Sequence, residues 1–420
     1  MKLLLKSVTI IDTQSKYHGK TVDVLIENGK ISEISKQITD DKAKIVDAKG
    51  CSLSPSWIDM NTCIYEPGFE YREDFESGLN AAACAGYGAV CIMPNTFPVV
   101  DNKTQVEFVK NAGIGKLTNT YALGAVSQET KGIDLAEIYD MHTSGAVAFC
   151  DGNKAIQSAG LMERALLYVK KFNGLVYSFP YNESISGHGQ MNESIVSTRL
   201  GLHASPKLAE EIMVARDLYL LEYTQSRLHF VQVSTKKSVE LIKKAKKDGL
   251  NVTAGVNVAN LYFDDEKLLD YDTNFKVKPH LRNKEDVKAL LQGLKDGTID
   301  VINSGHNPLH EDEKKVEFEN AKFGASTIDC SFTAAQKATE KYLTEQELID
   351  KFTNGYKILN IEKPTIKKDS EAHFTLYNWN KTTKFTKEKV LSKGKNNPFV
   401  GEEFNSTVLG VINKNKTNIL

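Results

Sequence analysis

The sequence predicts an α/β chain: a (β/α)8, TIM-like barrel carrying a small β-sandwich domain made from the N- and C-terminal segments. Three observations lead there. Eight short apolar runs of strand length lie between residues 57 and 304, separated by longer segments of helical period, the pattern of repeated βα units over a parallel sheet. Eight such units close a barrel. Both ends of the chain break instead into short strand-like runs bounded by turn residues, and the length of 420 residues leaves room for a second unit beside a barrel of about 250 residues.

Residues 1–52 hold the runs Leu3-Leu4-Leu5, Val8-Thr9-Ile10-Ile11, Val22-Asp23-Val24-Leu25-Ile26 and Ile31-Ser32-Glu33-Ile34, with turn signals at Asn28-Gly29 and Lys49-Gly50. The barrel is expected over 53–371, with strands at 57–61, 89–93, 121–126, 146–149, 175–179, 228–233, 252–256 and 301–304. Ser205-Pro206 is expected to open a helix as N-cap and first-turn proline, with Leu208, Ile212, Ala215 and Tyr219 on one face. Another helix starts near Thr235, turns Val239, Ile242 and Ala245 inward and stops at Gly249. The basic run Lys243-Lys244 and Lys246-Lys247 lies on its outer face, as a solvated helix surface. Strands return at His373–Tyr377 and Ser406–Ile412, so that residues 372–420 are expected to pair with 1–52 in one composite domain.

Lysine and arginine number 53 against 54 aspartates and glutamates, a net charge of −1. That balance argues against an electrostatic nucleic-acid binder and against a disordered acidic chain. The six cysteines contain no CxxC pair and point to reduced thiols. The first apolar run is broken by Lys6, and no stretch approaches the roughly 18–20 apolar residues that span a bilayer. A soluble cytoplasmic protein without nucleic-acid or membrane partners is expected.

In a βα barrel the chemistry sits at the C-terminal ends of the strands. The first strand ends Asp59-Met60-Asn61-Thr62-Cys63-Ile64-Tyr65-Glu66-Pro67-Gly68, and period-two alternation would turn residues 61 and 63 to one face, a position suited to holding a metal. These residues, with Met93-Pro94-Asn95-Thr96, Ala209-Glu210 to Ala215-Arg216-Asp217, Ser234-Thr235, Tyr271 to Val277, Leu281-Arg282 and Leu294 to Asp300, resemble the long, multi-domain dihydroorotases of the amidohydrolase superfamily. The resemblance runs from the N-terminal strands to Asn396-Asn397-Pro398-Phe399-Val400-Gly401.

The departures fall on the chemistry that the resemblance implies. The family's two strand-one histidines align with Asn61 and Cys63, and its substrate-binding arginine with Tyr65. Histidine ligands after strands five and six become Phe179 and Gln232, and the strand-eight aspartate, both ligand and general base in the family, becomes Gly305. Asp151 survives as a candidate ligand. Asn95 keeps a substrate-contacting position, and a further contacting asparagine becomes Lys278. The nine histidines, His18, His142, His188, His203, His229, His280, His306, His310 and His373, miss every strand-end site where the family places an imidazole.

Family members normally bind zinc, which needs three or more good N, O or S ligands; phenylalanine and glycine donate nothing, and carboxamides are weak ligands. The resemblance therefore implies a degenerate member with no catalytic residue, no metal and no cofactor. By analogy with degenerate members that assemble with aspartate carbamoyltransferase, it implies a scaffold or partner in pyrimidine biosynthesis, and a homodimer. Other readings stay open on the residues alone. Cys63 is a nucleophile or a small buried thiol, and Asn95 is a contact residue or the cap of a turn. Cys63, Asp151 and His306 could rebuild an unorthodox metal site, making the chain an active dihydroorotase or related cyclic-amide hydrolase. An emptied pocket lined by Asn61, Tyr65, Asn95 and Gln232 could instead bind an uncharged small molecule.

Overall fold

The computed structural model describes residues 1–419. Eight parallel strands succeed one another as β1 (Trp57–Thr62), β2 (Tyr87–Ile92), β3 (Asn119–Gly124), β4 (Ala148–Phe149), β5 (Val176–Ser178), β6 (Leu228–Phe230), β7 (Val252–Asn257) and β8 (Val301–Asn303). Sequence neighbours are also hydrogen-bonded neighbours in the sheet. The sheet closes on itself: Thr62 bridges His306 in parallel, and the Cys63 N–H donates to the His306 carbonyl at 2.9 Å.

That seam is fastened by a side chain. Asp59 in β1, 0% exposed, accepts the Ser304 N–H at 3.0 Å, and also the Ser304 and Thr62 hydroxyls. Burial pushes its carboxyl up, while these donors act in the opposite direction. The strand-end residues on both sides of the seam therefore take their positions from one buried acid.

The two ends of the chain share one eight-stranded sheet. Strand Ser52–Pro55 pairs in parallel with Lys2–Ile10 and antiparallel with His373–Asn378, then passes through Ser56 directly into β1, so the sheet reaches a few residues beyond position 52. The expected turn is present, with Asn28 and Gly29 at φ 52° and 77° between two antiparallel strands. The sheet curls until the Ala372 N–H donates to the Gly29 carbonyl at 2.9 Å, enclosing a core that includes Leu5, Val24, Ile31, Leu53 and Phe374. Trp57 joins this unit to the barrel: fully buried, it stacks on Phe332 at 4.1 Å and packs on Tyr377 of the terminal sheet.

The helix at Lys236–Lys247 is capped by Thr235, which accepts the Ser238 N–H, and it buries Val239, Ile242 and Ala245 as expected. Its outward lysines meet acids of the neighbouring segment, Lys243 with Asp296 at 2.6 Å and Lys246 with Asp300 at 2.7 Å. The preceding helix corrects the sequence reading. It runs Leu208–Thr224, and its cap position, Lys207, makes no side-chain cap bond. Ser205 instead lies in a two-residue strand beside Met191–Asn192, with its hydroxyl 2.8 Å from that of Ser186. Leu208, Ile212 and Tyr219 face solvent, whereas Ala209, Met213, Val214 and Leu221 are buried together with Glu210 and Asp217. Apolar residues occupy both faces, so periodicity alone did not identify the inner one. No helix among the described residues is long and apolar enough to cross a membrane.

His229 in β6 lies wholly inside, its Nδ1 2.8 Å from the Thr253 hydroxyl and its ring 4.8 Å from that of Tyr177. Burial, with the Lys246 charge adding to it, pushes its pKa down from 6.5 to about 3. The unfolded chain thus takes up this proton first, and His229 removes stability as pH falls from about 6.5 towards about 3, by up to about 1.4 kcal/mol per pH unit. Urea denaturation across that window should show a shallower acid loss for His229→Gln than for the native chain; an unchanged slope would contradict the assignment. Asp59→Ala, which strands three buried donors, should cost about 3–5 kcal/mol in the same assay at neutral pH, and a loss below about 1 kcal/mol would mean that the seam does not need it.

Candidate functional site

The C-terminal ends of β1, β6 and β7 bring three carboxamides together. Asn61 Nδ2 donates to Gln232 Oε1 at 2.9 Å and to Asn257 Oδ1 at 3.3 Å, while Asn257 Nδ2 donates to Gln232 Oε1 at 2.5 Å. All three residues are at most 5% exposed. Each amide meets at least one other, and the triangle carries no charge. Gly305, beyond β8, adopts φ 64°, and a Cβ there would lie 2.6 Å from Asn257 Cγ. The Asn257 amide thus takes the space that a side chain at 305 would need.

Cys63 does not join the triangle. Its sulfur accepts from Asn153 Nδ2 at 3.4 Å, and burial pushes the thiol up to about 12. At neutral pH it is a protonated, enclosed thiol, which favours the small-core-residue reading over the nucleophile. Asp151 turns away from both. Its carboxylate accepts the Val126 and Ser127 N–H groups at 3.0 and 2.9 Å and the Ser127 hydroxyl, clamping the loop after β3. His306 is committed to the seam through its main chain, and its Nε2 lies 3.5 Å from the Glu73 carboxylate. His310 sits outside on Asp312 at 3.2 Å. Cys63, Asp151 and His306 are therefore held by three different sets of neighbours. Among the described residues no group of three or more His, Cys, Asp or Glu side chains is placed to hold a metal ion.

The remaining positions form the wall of the mouth. Phe179 stacks parallel on Tyr181 with ring centroids 5.8 Å apart. Tyr65 donates its hydroxyl to Asn307 Oδ1, and the Arg72 guanidinium lies 5.0 Å over its ring. An arginine does reach this region, then, but from the loop after β1, and it forms a two-point pair with Glu313. Burial pushes the Glu313 carboxyl up, but Arg72 and Lys322 outweigh it and hold it down to about 2. Asn95 secures the loop after β4 and not the turn after β2: its Oδ1 accepts the Asn153 N–H at 3.3 Å, against Gly152 at φ 66°. Asn95, Tyr65, Arg72, Asn153 and Asn307 all line one cavity of about 680 Å³ at the mouth.

Sequence reasoning missed Asn257, Asn153, Asn307 and Arg72. Asn257 ends β7, one residue past the expected strand, so the strand-end rule would have found it had that strand been read to its end. The other three lie in loops whose paths no periodicity describes.

The sequence model of a family described as dihydro-orotase-like matches residues 50–238. A dihydroorotase of Syntrophus aciditrophicus is 39% identical over 406 residues, covering 96% of this chain and 95% of that protein. One from Acetivibrio thermocellus is 40% identical over 410 residues, covering 97% and 96%. The chain belongs to the dihydroorotase family. Among solved structures, an L-hydantoinase (dihydropyrimidinase) from Arthrobacter aurescens aligns with TM-score 0.86 at 21% identity over 99% of this chain and 95% of that one. A dihydropyrimidinase from Brevibacillus agri aligns with TM-score 0.83 at 19% identity over 100% and 95%. At those identities the likeness speaks for the fold, a (β/α)8 barrel with a β-rich companion.

Set against the zinc that the dihydroorotase resemblance implies, the donor set does not fit. The strand ends offer three neutral amides, a thiol held protonated, a phenylalanine and a glycine, and none of these is an anionic or imidazole ligand. Alkylation with iodoacetamide at pH 8 followed by peptide mass spectrometry should leave Cys63 unmodified in the native protein and modify it after unfolding; rapid native labelling would mean an open, ionised thiol.

Proposed function

We propose that this member of the dihydroorotase family is non-catalytic and metal-free, a barrel kept for its shape and surfaces, acting in the cytoplasm as a homodimeric scaffold or partner in pyrimidine biosynthesis with aspartate carbamoyltransferase as its counterpart. One observation carries the first part: the Asn61–Gln232–Asn257 amide triangle beside Gly305 occupies the positions that correspond to a histidine, aspartate and metal centre.

Opening a cyclic amide near neutral pH calls for a polarised carbonyl and a hydroxide equivalent, which the family obtains from its metal and a strand-eight carboxylate. Among the described residues, the positions that would fill these roles are otherwise engaged or lack the group. Asp151 is fully engaged by its loop, Cys63 keeps its proton, and residue 305 has no side chain. The three amides bond directly to one another, which favours their retention as packing.

The rival reading, an active dihydroorotase or related cyclic-amide hydrolase with an unorthodox metal, would need Cys63, Asp151 and His306 to leave their present partners. Elemental analysis of purified, untagged protein, with dihydroorotate turnover followed in both directions, separates the two. Substoichiometric zinc and no turnover above background are expected; near-stoichiometric metal with measurable turnover would sink the scaffold reading. Co-purification with aspartate carbamoyltransferase, and loss of that enzyme's assembly when this chain is deleted, tests the partner. Sedimentation tests the dimer.

A further inference from the structure

The outer surface of the helix Leu208–Thr224 carries an apolar ridge that stands open to solvent. Leu208, Ile212, Tyr219 and Tyr223 are 51%, 44%, 74% and 73% exposed, on a helix whose opposite face already packs into the protein through Ala209, Met213, Val214 and Leu221. Steps of four, seven and four residues keep these four side chains within about 60° of one another around the helix axis, and Ala215 lies about 20° to one side of that stripe. The next barrel helix shows what solvation ordinarily selects: the outward lysines of Lys236–Lys247 pair with Asp296 and Asp300. On the ridge, two tyrosines and two branched aliphatics stand where charge is expected.

The spacing of the ridge has a symmetry. Leu208 and Tyr223 each lie 7.5 residues from the midpoint between Ala215 and Arg216, and Ile212 and Tyr219 each lie 3.5 residues from it. A helix with that pattern is complementary to an antiparallel copy of itself. Turned about a two-fold axis through the midpoint, Leu208 of either copy meets Tyr223 of the other, and Ile212 meets Tyr219, so every aliphatic side chain finds a ring. The small Ala215 at the axis lets the two backbones approach. No carboxylate is set against its own kind, because Glu211 comes level with Leu220 and Glu222 with Ala209. Arg216, the charge nearest the axis, is folded back onto Asp217 at 2.8 Å and the Gln157 carbonyl at 2.9 Å.

The area is of the right order. Two tyrosines about three-quarters exposed and two aliphatics about half exposed offer about 450 Å² per copy, more than half of the about 800 Å² that each partner buries in a stable pair. The adjoining helix Ala159–Lys170 extends the surface. Lys170 Nζ donates to the Thr224 carbonyl at 2.8 Å, which brings the end of that helix, with Leu167 and Tyr168 at 42% and 39% exposed, beside the Tyr223 end of the ridge.

We propose that this ridge is the contact surface of a two-fold, antiparallel pair of this chain, with Ala215 at the axis and Ile212 of each copy packed on Tyr219 of the other. The proposal rests on the homodimeric reading and gives that pair its surface and register.

Sedimentation velocity of the full chain tests it. Dimerisation is expected with a dissociation constant below about 10 µM. Ile212→Glu and Tyr219→Lys should each weaken the dimer by about thirtyfold or more, whereas Ile114→Glu, at an isoleucine 72% exposed outside the ridge, should change it by less than about threefold. The double variant Ile212→Glu/Tyr219→Lys sets each new carboxylate opposite a new ammonium only in the antiparallel register, and should dimerise at least about tenfold more tightly than either single variant at low salt. Ala215→Cys, the ridge position closest to its own copy, should give a disulfide-linked dimer on mild oxidation, a readout that holds even if one of the other variants folds poorly. A dimer that survives both single substitutions, including one whose variants lose aspartate carbamoyltransferase instead, or an Ala215→Cys chain that does not cross-link, overturns the proposal and leaves the homodimeric reading standing. A native chain still monomeric at about 100 µM overturns both.

Discussion

Everything at the barrel mouth hangs on a carboxylate that never meets solvent. Asp59 gathers the Ser304 N–H and hydroxyl and the Thr62 hydroxyl across the gap between the first and last strands. In a low-dielectric interior such a group is tolerable only when it is densely hydrogen-bonded. Because the closure is geometric, Asn61 on one side and Gly305 on the other are carried to fixed positions with it. The neighbouring main-chain link from Cys63 to His306 extends the same seam towards the mouth, which is why His306 is spent on structure.

The chemistry at the centre follows from neutralisation. Where a metal site would gather anionic and imidazole donors, three carboxamides bond to one another, and Asp151 is turned onto the backbone of Val126 and Ser127. Charge has moved outward, to the Arg72–Glu313 pair and the lysines of the rim. The mouth keeps a cavity and a positive bias above three neutral amides. This division, a neutral floor under a cationic rim, underlies the non-catalytic reading.

How much of this was legible in the sequence differs by level. The eight strands fall where apolar runs of strand length predict them because burial on both faces of a parallel strand imposes that composition. The helix at Leu208–Thr224 was misread because its inner face accepts Glu210 and Asp217, each matched to a buried partner, while Leu208, Ile212 and Tyr219 stay outside. Composition cannot distinguish a satisfied buried acid from an exposed one. At the site, the residue types at 61, 63, 179, 232 and 305 were readable from strand ends, but their partners were not: Asn257 against Gly305, Asn153 on Cys63 and Asn307 on Tyr65 are contacts between distant segments.

By itself the sequence determined the order of strands and helices, the meeting of its two ends as a β unit, the family, and which residue types stand at the strand ends. These are consequences of local periodicity and of motifs a few residues long. Only the tertiary structure decided what those residues do: that Asn61, Gln232 and Asn257 close on one another, that Asp151 and His306 are taken by loop and seam, and that Lys278 rests between two rings. The physical reason is that hydrogen bonds and ion pairs act over a few ångströms, and which groups come that close is settled by closing the barrel, not by their spacing along the chain.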